Sequence, residues 1–212
     1  MLLAALTLSC AASCARTSQS LSNPERAAPA GAAEFDESPV ELPRYRSRRL
    51  GLSLPLPGGR AWTIDDHSRP ELVAKHAPTR SMVMVAVLRT NETVGRDQCE
   101  ELAKAQGLVA VGPLSVLEDE IAITQKSFDT RIRVALEAPL PHRPLVGHVS
   151  AFGGFLHKCY VFDFTTQVDD ATGEAALSAR LAFARTRILT GLELDPFATL
   201  PAGRGAASEA PR

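Results

Sequence analysis

Two histidines, a cysteine and an aspartate lie close together in the second half of the sequence, as His148, His157, Cys159 and Asp163. Imidazole, thiolate and carboxylate groups are the ligands that zinc and other transition metals bind in proteins. We therefore take His148, His157 and Asp163 as weak candidates for a metal site. A helix packed over the same face would instead make them part of a partly polar, buried surface. We adopt this second interpretation, so no metal or other cofactor is assigned.

The strand pairing that would bring these residues together depends on one turn. Gly153-Gly154 has the composition of a two-residue hairpin turn, because glycine tolerates the positive φ angles that such turns require. The hairpin arms are predicted at 145–152 and 155–166, with the two histidines, the cysteine and the aspartate on a shared face. The predicted pairs are Phe152 with Phe155, Ser150 with His157, and His148 with Cys159.

Two further acidic segments have residue types that could act as an acid, a base or a cation ligand. Asp65-Asp66-His67 places two carboxylates beside an imidazole, which suits acid–base chemistry or metal binding. It lies just before Pro70, and a solvated turn is the interpretation that we adopt. Glu118-Asp119-Glu120 could hold a cation through oxygen ligands. Alternate residues of a strand face opposite ways, so at most two of these three carboxylates can converge.

The sequence lacks the local motifs of the common enzyme classes. It contains no glycine-rich phosphate loop, no nucleophile elbow, no HExxH and no CxxC pair, so no catalytic residue is assigned. Lys and Arg number 23 and Asp and Glu number 24, which gives a formal charge of −1. That balance excludes a nucleic-acid-binding protein that relies on a large basic excess.

Two classes of function stay open. We predict the first, a non-catalytic domain that is tethered to a membrane and binds an envelope protein or another ligand. The second is a small hydrolase or metal-dependent enzyme whose site residues are dispersed along the chain. A deep pocket that gathers at least three of five polar candidates would favour the enzyme. The five are His67, His148, His157, Asp163 and Asp66.

The first residues of the chain have the composition of an export signal. Residues 1–12 are uncharged and mostly Leu and Ala, which is typical of the apolar region of secretory signals. Cys14 follows Ala11-Ala12-Ser13, small residues that resemble the lipobox of bacterial lipoproteins. We therefore predict a signal peptide at 1–13, a lipid on Cys14, and an exported protein anchored in the periplasm or at the outer membrane. An ordinary cleaved signal, which would release a soluble secreted protein, is the alternative.

Composition also divides the rest of the chain. Residues 14–43, beginning at the lipidated cysteine, are rich in Ala, Ser, Pro and Glu without helical or strand periodicity, which predicts a disordered tether. Residues 195–212 have the composition of a flexible tail. One domain is left at 44–194. Its first residues form a basic cluster that could attract anionic lipid headgroups or be a solvated edge, namely Arg44, Arg46, Arg48 and Arg49.

Within the domain, hydrophobic periodicity predicts mainly strands. Besides the two hairpin arms, strands are predicted at 50–56, 62–64, 81–88, 114–117, 121–124 and 130–137. Helices are predicted at 95–106 and 171–190. Strands interrupted by one helix and closed by another indicate the α+β class. Because some strands are apolar on both faces, we expect a single α/β/α sandwich, a mostly antiparallel sheet with helices on both faces.

This order of elements resembles the PsbP-like and DcrB-like domains, a family of α/β/α sandwiches that includes bacterial lipoproteins and photosystem lumenal subunits. The resemblance covers 50–194 and includes the opening pattern RLGLSLPLPGGRAWTI, a strand, a Pro-Gly turn and then a tryptophan. It implies a non-catalytic accessory or binding domain. It assigns no site residues to this chain, because the sequence contains no recognisable functional motif of that family.

Cys99 and Cys159 are the two cysteines inside the domain. The resemblance lays the 95–106 helix across the sheet with Cys99 on its inward face, so the two sulfurs could meet. Export also favours pairing, because disulfides persist outside the cytosol. We therefore predict a Cys99–Cys159 disulfide, with two separate buried thiols as the alternative.

The closing helix carries one apolar stripe, which identifies the face that should be buried. Leu177, Leu181 and Ile188 fall on that stripe at helical spacing. We expect them to pack against sheet residues of the central strands, namely Val83, Val85, Phe162 and Phe164.

We predict that the mature protein begins at Cys14 and carries acyl groups, because an apolar segment and small residues precede that cysteine. More than one acyl chain gives the stable anchoring that a single chain does not. Intact-mass measurement of the exported protein tests this directly. A product that begins at Ala15 or later, without acyl mass, would contradict the prediction.

Overall fold

The computed structural model of the chain describes residues 35, 41–123, 129–140 and 143–195. The predicted signal peptide, Cys14, most of the predicted tether and residues 196–212 of the predicted tail lie outside the described residues. In the part of the chain that is described, none of the helices combines the length and the apolar character needed to span a bilayer.

The described residues form ten strands and two α-helices. The strands are β1 (Arg44–Ser47), β2 (Leu52–Pro55), β3 (Trp62–Asp65), β4 (Leu72–His76), β5 (Ser81–Arg89), β6 (Leu114–Ile123), β7 (Asp129–Glu137), β8 (Leu145–Phe155), β9 (Lys158–Val168) and β10 (Glu193–Leu194). The helices are α1 (Arg96–Ala105) and α2 (Glu174–Phe183). Short 3-10 turns lie at Gly59–Ala61 and Ala171–Gly173, and a π-helical segment, Ala184–Leu189, continues α2.

Seven of these strands form one antiparallel sheet in the order β3-β4-β5-β9-β8-β7-β6, and β1, β2 and β10 form a second sheet. β5 corresponds to the apolar run predicted as a strand, and it lies inside the large sheet. After β5 the chain crosses the sheet through α1 to the far edge at β6. It then returns by hairpins until β9 pairs with β5. The α+β class and the mostly antiparallel sheet are confirmed.

α2 and the π-helical segment pack on one face of the large sheet. Three residues of this helical stretch are at most 3% exposed, namely Leu177, Leu181 and Ile188. They belong to one buried cluster with the four expected sheet residues, Val83, Val85, Phe162 and Phe164. The predicted packing of the closing helix on the central strands is therefore confirmed.

α1 packs on the opposite face of the sheet. Cys99 and Ala103 are fully buried in a second cluster, which includes Phe152 of β8. Cys99 and Cys159 form a disulfide with their Cα atoms 5.3 Å apart, a separation that a disulfide can bridge. The predicted disulfide is thus present, and it ties α1 to β9. Helices on both faces make the α/β/α arrangement that the sequence predicts.

The hairpin between β8 and β9 turns at Leu156-His157, so the predicted turn at Gly153-Gly154 is wrong. Both glycines lie within β8 and pair with β9. Glycine is needed at 154 because a Cβ there would collide with the backbone carbonyl of Val94. The Val94 N–H in turn donates to the carbonyl oxygen of Leu156 at 2.9 Å, which holds the turn in its observed place.

The displaced turn changes the register of the whole hairpin. His148 pairs with Thr165 rather than Cys159, and Ser150 pairs with Asp163 rather than His157. Phe155 pairs with Lys158 rather than Phe152. The predicted pairs are therefore wrong, although His148 and Asp163 still share a face of the sheet.

Other differences from the predicted elements are local. The strands β1, β4 and β10 are absent from the sequence prediction, because each has five residues or fewer and takes its burial from neighbouring strands. The two weak strands predicted at 114–117 and 121–124 are one strand, β6, with an irregularity between Val116 and Glu118. The helix predicted at 171–190 is divided into the 3-10 turn, α2 and the π-helical segment.

Phe35, the one aromatic residue of the predicted tether, is buried in the core. Its side chain is 6% exposed and lies in the same cluster as α2. Its ring stacks on Trp62 with centroids 6.0 Å apart, and it also contacts the rings of His76, Phe164 and Phe183. The segment before β1 therefore contributes at least one side chain to the domain.

We expect Leu181→Ala to lower the free energy of unfolding by about 2–5 kcal/mol, because a large side chain that is 3% exposed would leave a cavity. Denaturant unfolding measures the change. The matched control is Leu117→Ala, whose parent side chain is 57% exposed and should change stability by less than about 0.5 kcal/mol. Equal effects of the two substitutions would show that the buried face of α2 is misassigned.

Candidate functional site

An apolar cleft of about 420 Å³ lies between the large sheet and the chain that follows α2. Antiparallel pairing places its floor residues side by side in two rows that cross the strands. The first row is Ala122, Thr130, Gly153 and Tyr160. The second row is Glu120, Ile132, Ala151, Phe162 and Val85. We call this space the apolar cleft.

Small residues on the floor leave this space open. Ala122, Ala151 and Gly153 carry a methyl group or no side chain, so the floor is low where the chain after α2 passes over it. The next row along the same face has larger residues and belongs to the core beneath α2: Val134, Val149, Phe164 and Val83. Protein interiors hold few voids larger than a water molecule. The volume of the apolar cleft instead falls within the range of small-molecule pockets, about 300–1,000 Å³.

The roof of the apolar cleft is the π-helical segment together with the residues that follow it, 190–194, which include β10. It contributes the side chains of Leu189, Leu192 and Leu194. The hydroxyls of Thr186 and Thr190 donate to backbone carbonyls one helical turn earlier, at 2.7 and 2.5 Å. The roof therefore presents mainly hydrocarbon to the floor. Single turns of π-helix occur frequently at functional sites in proteins.

Arg185 closes the apolar cleft at the edge of the sheet. Its guanidinium lies 2.9 Å from a carboxylate oxygen of Glu118 and also contacts Glu120. These ion pairs connect the π-helical segment with the edge strand β6, and we call the three residues the Arg185 clasp. Side-chain exposures of 31%, 49% and 46% for Arg185, Glu118 and Glu120 place the clasp at the rim.

The acidic segment Glu118-Asp119-Glu120 is thus used in ion pairs with the protein's own arginines. Glu118 and Glu120 lie on the cleft face, whereas Asp119 lies on the other face. Asp119 accepts two hydrogen bonds from Arg131, at 2.8 and 2.7 Å. These bonds hold the pKa of Asp119 below its ordinary value. The alternation predicted from the strand is present, and it divides the three carboxylates between two sites.

Tyr160 is the one phenol among the residues that line the apolar cleft in the described chain. It is 5% exposed. Burial, with a further contribution from the charge of Asp195, raises the pKa of Tyr160 to about 12. The phenol is therefore neutral at physiological pH and adds no charge to the floor.

The candidate metal ligands do not converge. His157 is exposed in the hairpin turn, and Cys159 is in the disulfide. His148 and Asp163 are buried on the α1 face, with a distance of 3.9 Å between His148 Nδ1 and Asp163 Oδ2. Among the described residues, no group of three or more His, Cys, Asp or Glu side chains has a geometry that could hold a metal ion.

His148 and Asp163 are instead part of a hydrogen-bonded polar group beneath the α1 face. His148 Nε2 lies 3.0 Å from Glu137 Oε1, and Asp163 accepts hydrogen bonds from Ser150 at 2.6 Å and Thr165 at 3.0 Å. Burial disfavours the charged form of His148, but the carboxylates of Asp163 and Glu137 outweigh it and raise the pKa. The Ser150 hydroxyl donates to Asp163 rather than to a histidine, and the Thr165 hydroxyl, which lies 3.2 Å from His148 Nδ1, also donates to Asp163.

Asp66 and His67 also have structural surroundings. Asp66 is 5% exposed and accepts hydrogen bonds from Ser47 at 3.0 Å and from the Arg49 guanidinium at 3.0 Å. His67 is exposed, and its backbone N–H donates to Asp65, which belongs to a tight turn. Arg49 is thus a partner of Asp66, and Arg44 lies 3.3 Å from Glu193. Two members of the predicted basic cluster are therefore used within the domain.

None of the five polar candidates lines the apolar cleft. Apart from Glu120, which belongs to the acidic segment considered as a cation site, the residues that line it have no sequence prediction as a site. Their only sequence signal is a set of small residues at alternate positions, such as Ala151 and Gly153 on β8. That signal becomes meaningful once the register aligns them with Ala122 and Thr130 on the neighbouring strands.

The sequence matches no model of a known protein family, and no curated protein is significantly similar to it. Comparison with solved structures finds distant matches. One is a protein of Bacteroides thetaiotaomicron, with 12% identity and a TM-score of 0.42 over 73% of this chain; the chain spans about half the length of that structure, 49%. Another is the Ran-binding protein Mog1p of Saccharomyces cerevisiae, with 9% identity and a TM-score of 0.50, covering 68% of this chain and 90% of Mog1p. At such low identity the likeness to Mog1p concerns the fold alone, and at that level it supports the resemblance to PsbP-like domains.

Proposed function

We propose that the chain is a non-catalytic binding domain, held at a membrane outside the cytosol by a lipid on Cys14, and that the apolar cleft is its ligand site. The observation that carries this proposal is the apolar cleft itself. It is an open space of about 420 Å³ whose floor and roof are mostly hydrocarbon. A concave apolar pocket of this size is the usual form of a small-molecule binding site.

The energetics of the apolar cleft favour binding of an apolar molecule. Water inside such a space finds few polar partners, and dry apolar cavities take up apolar ligands. Each Å² of apolar surface that a ligand removes from water contributes about 25 cal/mol. The floor is held by five paired strands, so the site is formed before a ligand arrives, and little ordering opposes binding.

The charged and phenolic groups that line the apolar cleft support binding rather than catalysis. Within the described chain, the charged groups that line the apolar cleft are at its rim, and Arg185 and Glu120 are bound to each other. The one phenol, Tyr160, has a pKa of about 12. These groups do not supply the paired acid and base that hydrolysis of a bound substrate needs.

Membrane attachment through Cys14 would limit where the apolar cleft can act. Residues 15–34 separate Cys14 from the buried side chain of Phe35. Even fully extended, twenty residues span at most about 70 Å. The domain would therefore stay close to the membrane that carries the lipid, where apolar ligands are abundant.

The structural likeness to Mog1p, a Ran-binding protein, agrees with a binding role. It brings no partner to this chain, because the identity of 9% supports a common fold only. The ligand must therefore be inferred from the chemistry of the apolar cleft.

We expect the full chain to bind Nile red, a neutral apolar dye, and the substitution Ala151→Leu to weaken that binding at least tenfold by filling the floor of the apolar cleft. The added side chain enters existing space, so the substitution should preserve or raise the melting temperature. Fluorescence titration and thermal unfolding measure the two effects.

The matched control is Ala182→Leu, which adds the same atoms on the exposed side of α2 and should leave dye binding unchanged. Absence of dye binding by the unsubstituted chain would refute the proposed ligand site. So would equal dye affinity in the chain with Ala151→Leu and in the unsubstituted chain.

A further inference from the structure

We infer that the apolar cleft takes one linear acyl chain, with its uncharged or zwitterionic headgroup at the Arg185 clasp. The inference rests on the proposed function and adds to it the class of ligand and the direction in which the ligand lies. It is carried by the shape of the apolar cleft, by the position of its charges and by the apolar surface beside its rim.

The floor of the apolar cleft is long and narrow. Its second floor row runs from Glu120 on β6 to Val85 on β5 and crosses five adjacent strands. Four interstrand spacings give the floor a length of about 19 Å, whereas its two rows, which lie two residues apart along each strand, give a width of about 7 Å. An unbranched hydrocarbon chain fills a trough of these proportions along its length. A compact ring system of equal volume would leave the ends of the trough empty.

The charges lie at the rim, chiefly at the β6 end. The charged residues that line the apolar cleft are Arg185, Glu120 and Glu193, with side-chain exposures of 31%, 46% and 52%. Glu193 pairs with Arg44 at 3.3 Å, away from the edge strand. An amphiphile would therefore place its hydrocarbon over Ala151 and its polar end near β6.

The Arg185 clasp also indicates the charge of the headgroup. Two carboxylates, Glu118 and Glu120, share one guanidinium, so the clasp carries a net charge of −1. Both oxygens of a fatty-acid carboxylate would face these two anions, because Arg185 is already bound. A glycerol ester carries no charge for these anions to repel, and in a zwitterionic lysolipid the ammonium group offsets the repulsion of the phosphate. The clasp thus favours neutral over anionic amphiphiles of equal chain length.

The edge strand beside the clasp presents apolar surface to solvent. Val116, Leu117 and Ile121 are 50%, 57% and 61% exposed, and all three lie on β6. Within the described residues β6 pairs with β7 alone. Val116 and Ile121 pair with Ala135 and Arg131 and so lie on the face opposite the apolar cleft, where they give this exposed edge an apolar strip. A membrane that met this strip would bring the edge strand, and with it the clasp, close to a source of acyl chains.

The experiment is displacement of Nile red from the full chain carrying Cys14→Ser. Because this chain cannot carry a lipid on residue 14, it needs no detergent. The competitors are monoacylglycerols from octanoyl to palmitoyl, together with lauric acid and lauroyl lysophosphatidylethanolamine. We expect affinity to rise by up to about fourfold per methylene and then to stop rising once the chain fills the trough. Monolauroylglycerol and the lysolipid should each bind at least threefold more tightly than laurate.

Two substitutions test the position of the chain and of the headgroup. Ala122→Phe should weaken acyl binding at least tenfold by obstructing the β6 end, whereas the control Ala182→Leu should not change it. The double substitution Glu118→Gln, Glu120→Gln removes both anions from the clasp, and it should narrow the preference for monolauroylglycerol over laurate at least threefold. Thermal unfolding verifies that each chain is folded.

The outcomes separate this inference from the proposed function. Dye binding that compact polycyclic hydrocarbons displace and acyl chains do not would overturn the acyl-chain assignment and leave a binding domain. An affinity independent of chain length would do the same. If the chain with both Glu118→Gln and Glu120→Gln kept an unchanged preference for monolauroylglycerol over laurate, the headgroup assignment would be overturned. Failure of Nile red and of every amphiphile to bind would refute both the inference and the proposed function.

Discussion

The antiparallel pairing of β5 with β9 is the interaction on which the rest of the structure depends. The strands β3 to β5 and β6 to β9 are two series of neighbours in sequence, and this pairing joins them into one sheet. It extends from Ser81 opposite Thr166 to Arg89 opposite Lys158. Its formation closes a long loop, and the entropy lost in that closure must be offset by the apolar surface that both strands bury.

Both layers of the sandwich are assembled on this pair of strands. On one face Val85 and Phe162 belong to the cluster beneath α2, and on the other Ala86 and Val161 belong to the cluster beneath α1. The disulfide fastens α1 next to the pairing, since Cys159 lies opposite Leu88. This pairing also adds Val85 to the cleft floor, whose other residues are aligned by the pairing of β6 to β9, so the site depends on strand register rather than on any local motif.

Sequence reasoning succeeds where the physical signal is local. The continuous apolar run at 81–88 and the helical stripe of Leu177 and Leu181 each indicate their structure without reference to distant residues. It fails at Gly153-Gly154, because Gly154 makes room for the backbone of Val94, which comes from another part of the chain. The sequence prediction misses the three short strands β1, β4 and β10 for the same reason, because their burial comes from neighbouring strands rather than from their own hydrophobic pattern.

The candidate site shows the same contrast between residues that are recognisable in the sequence and residues that matter only through their neighbours in the fold. Histidine, aspartate and glutamate are conspicuous in sequence because of their chemistry, yet His148, Asp163 and Asp66 stabilise the fold through hydrogen bonds. The apolar cleft arises from missing bulk at Ala151 and Gly153, and alanine and glycine carry no such chemical signal. Small residues become a site only when the pairing of β6 to β9 lines them up under a roof.

The most direct test of a ligand site in the apolar cleft is to locate a bound ligand on the protein. Nuclear Overhauser effects between unlabelled monolauroylglycerol and a methyl-labelled full chain report which side chains touch its hydrocarbon. We expect contacts to the methyl groups of Ile132 and Ala151 on the floor and of Leu189 on the roof of the apolar cleft. Contacts confined to exposed residues such as Val116 and Leu117, with none to these three, would contradict this expectation.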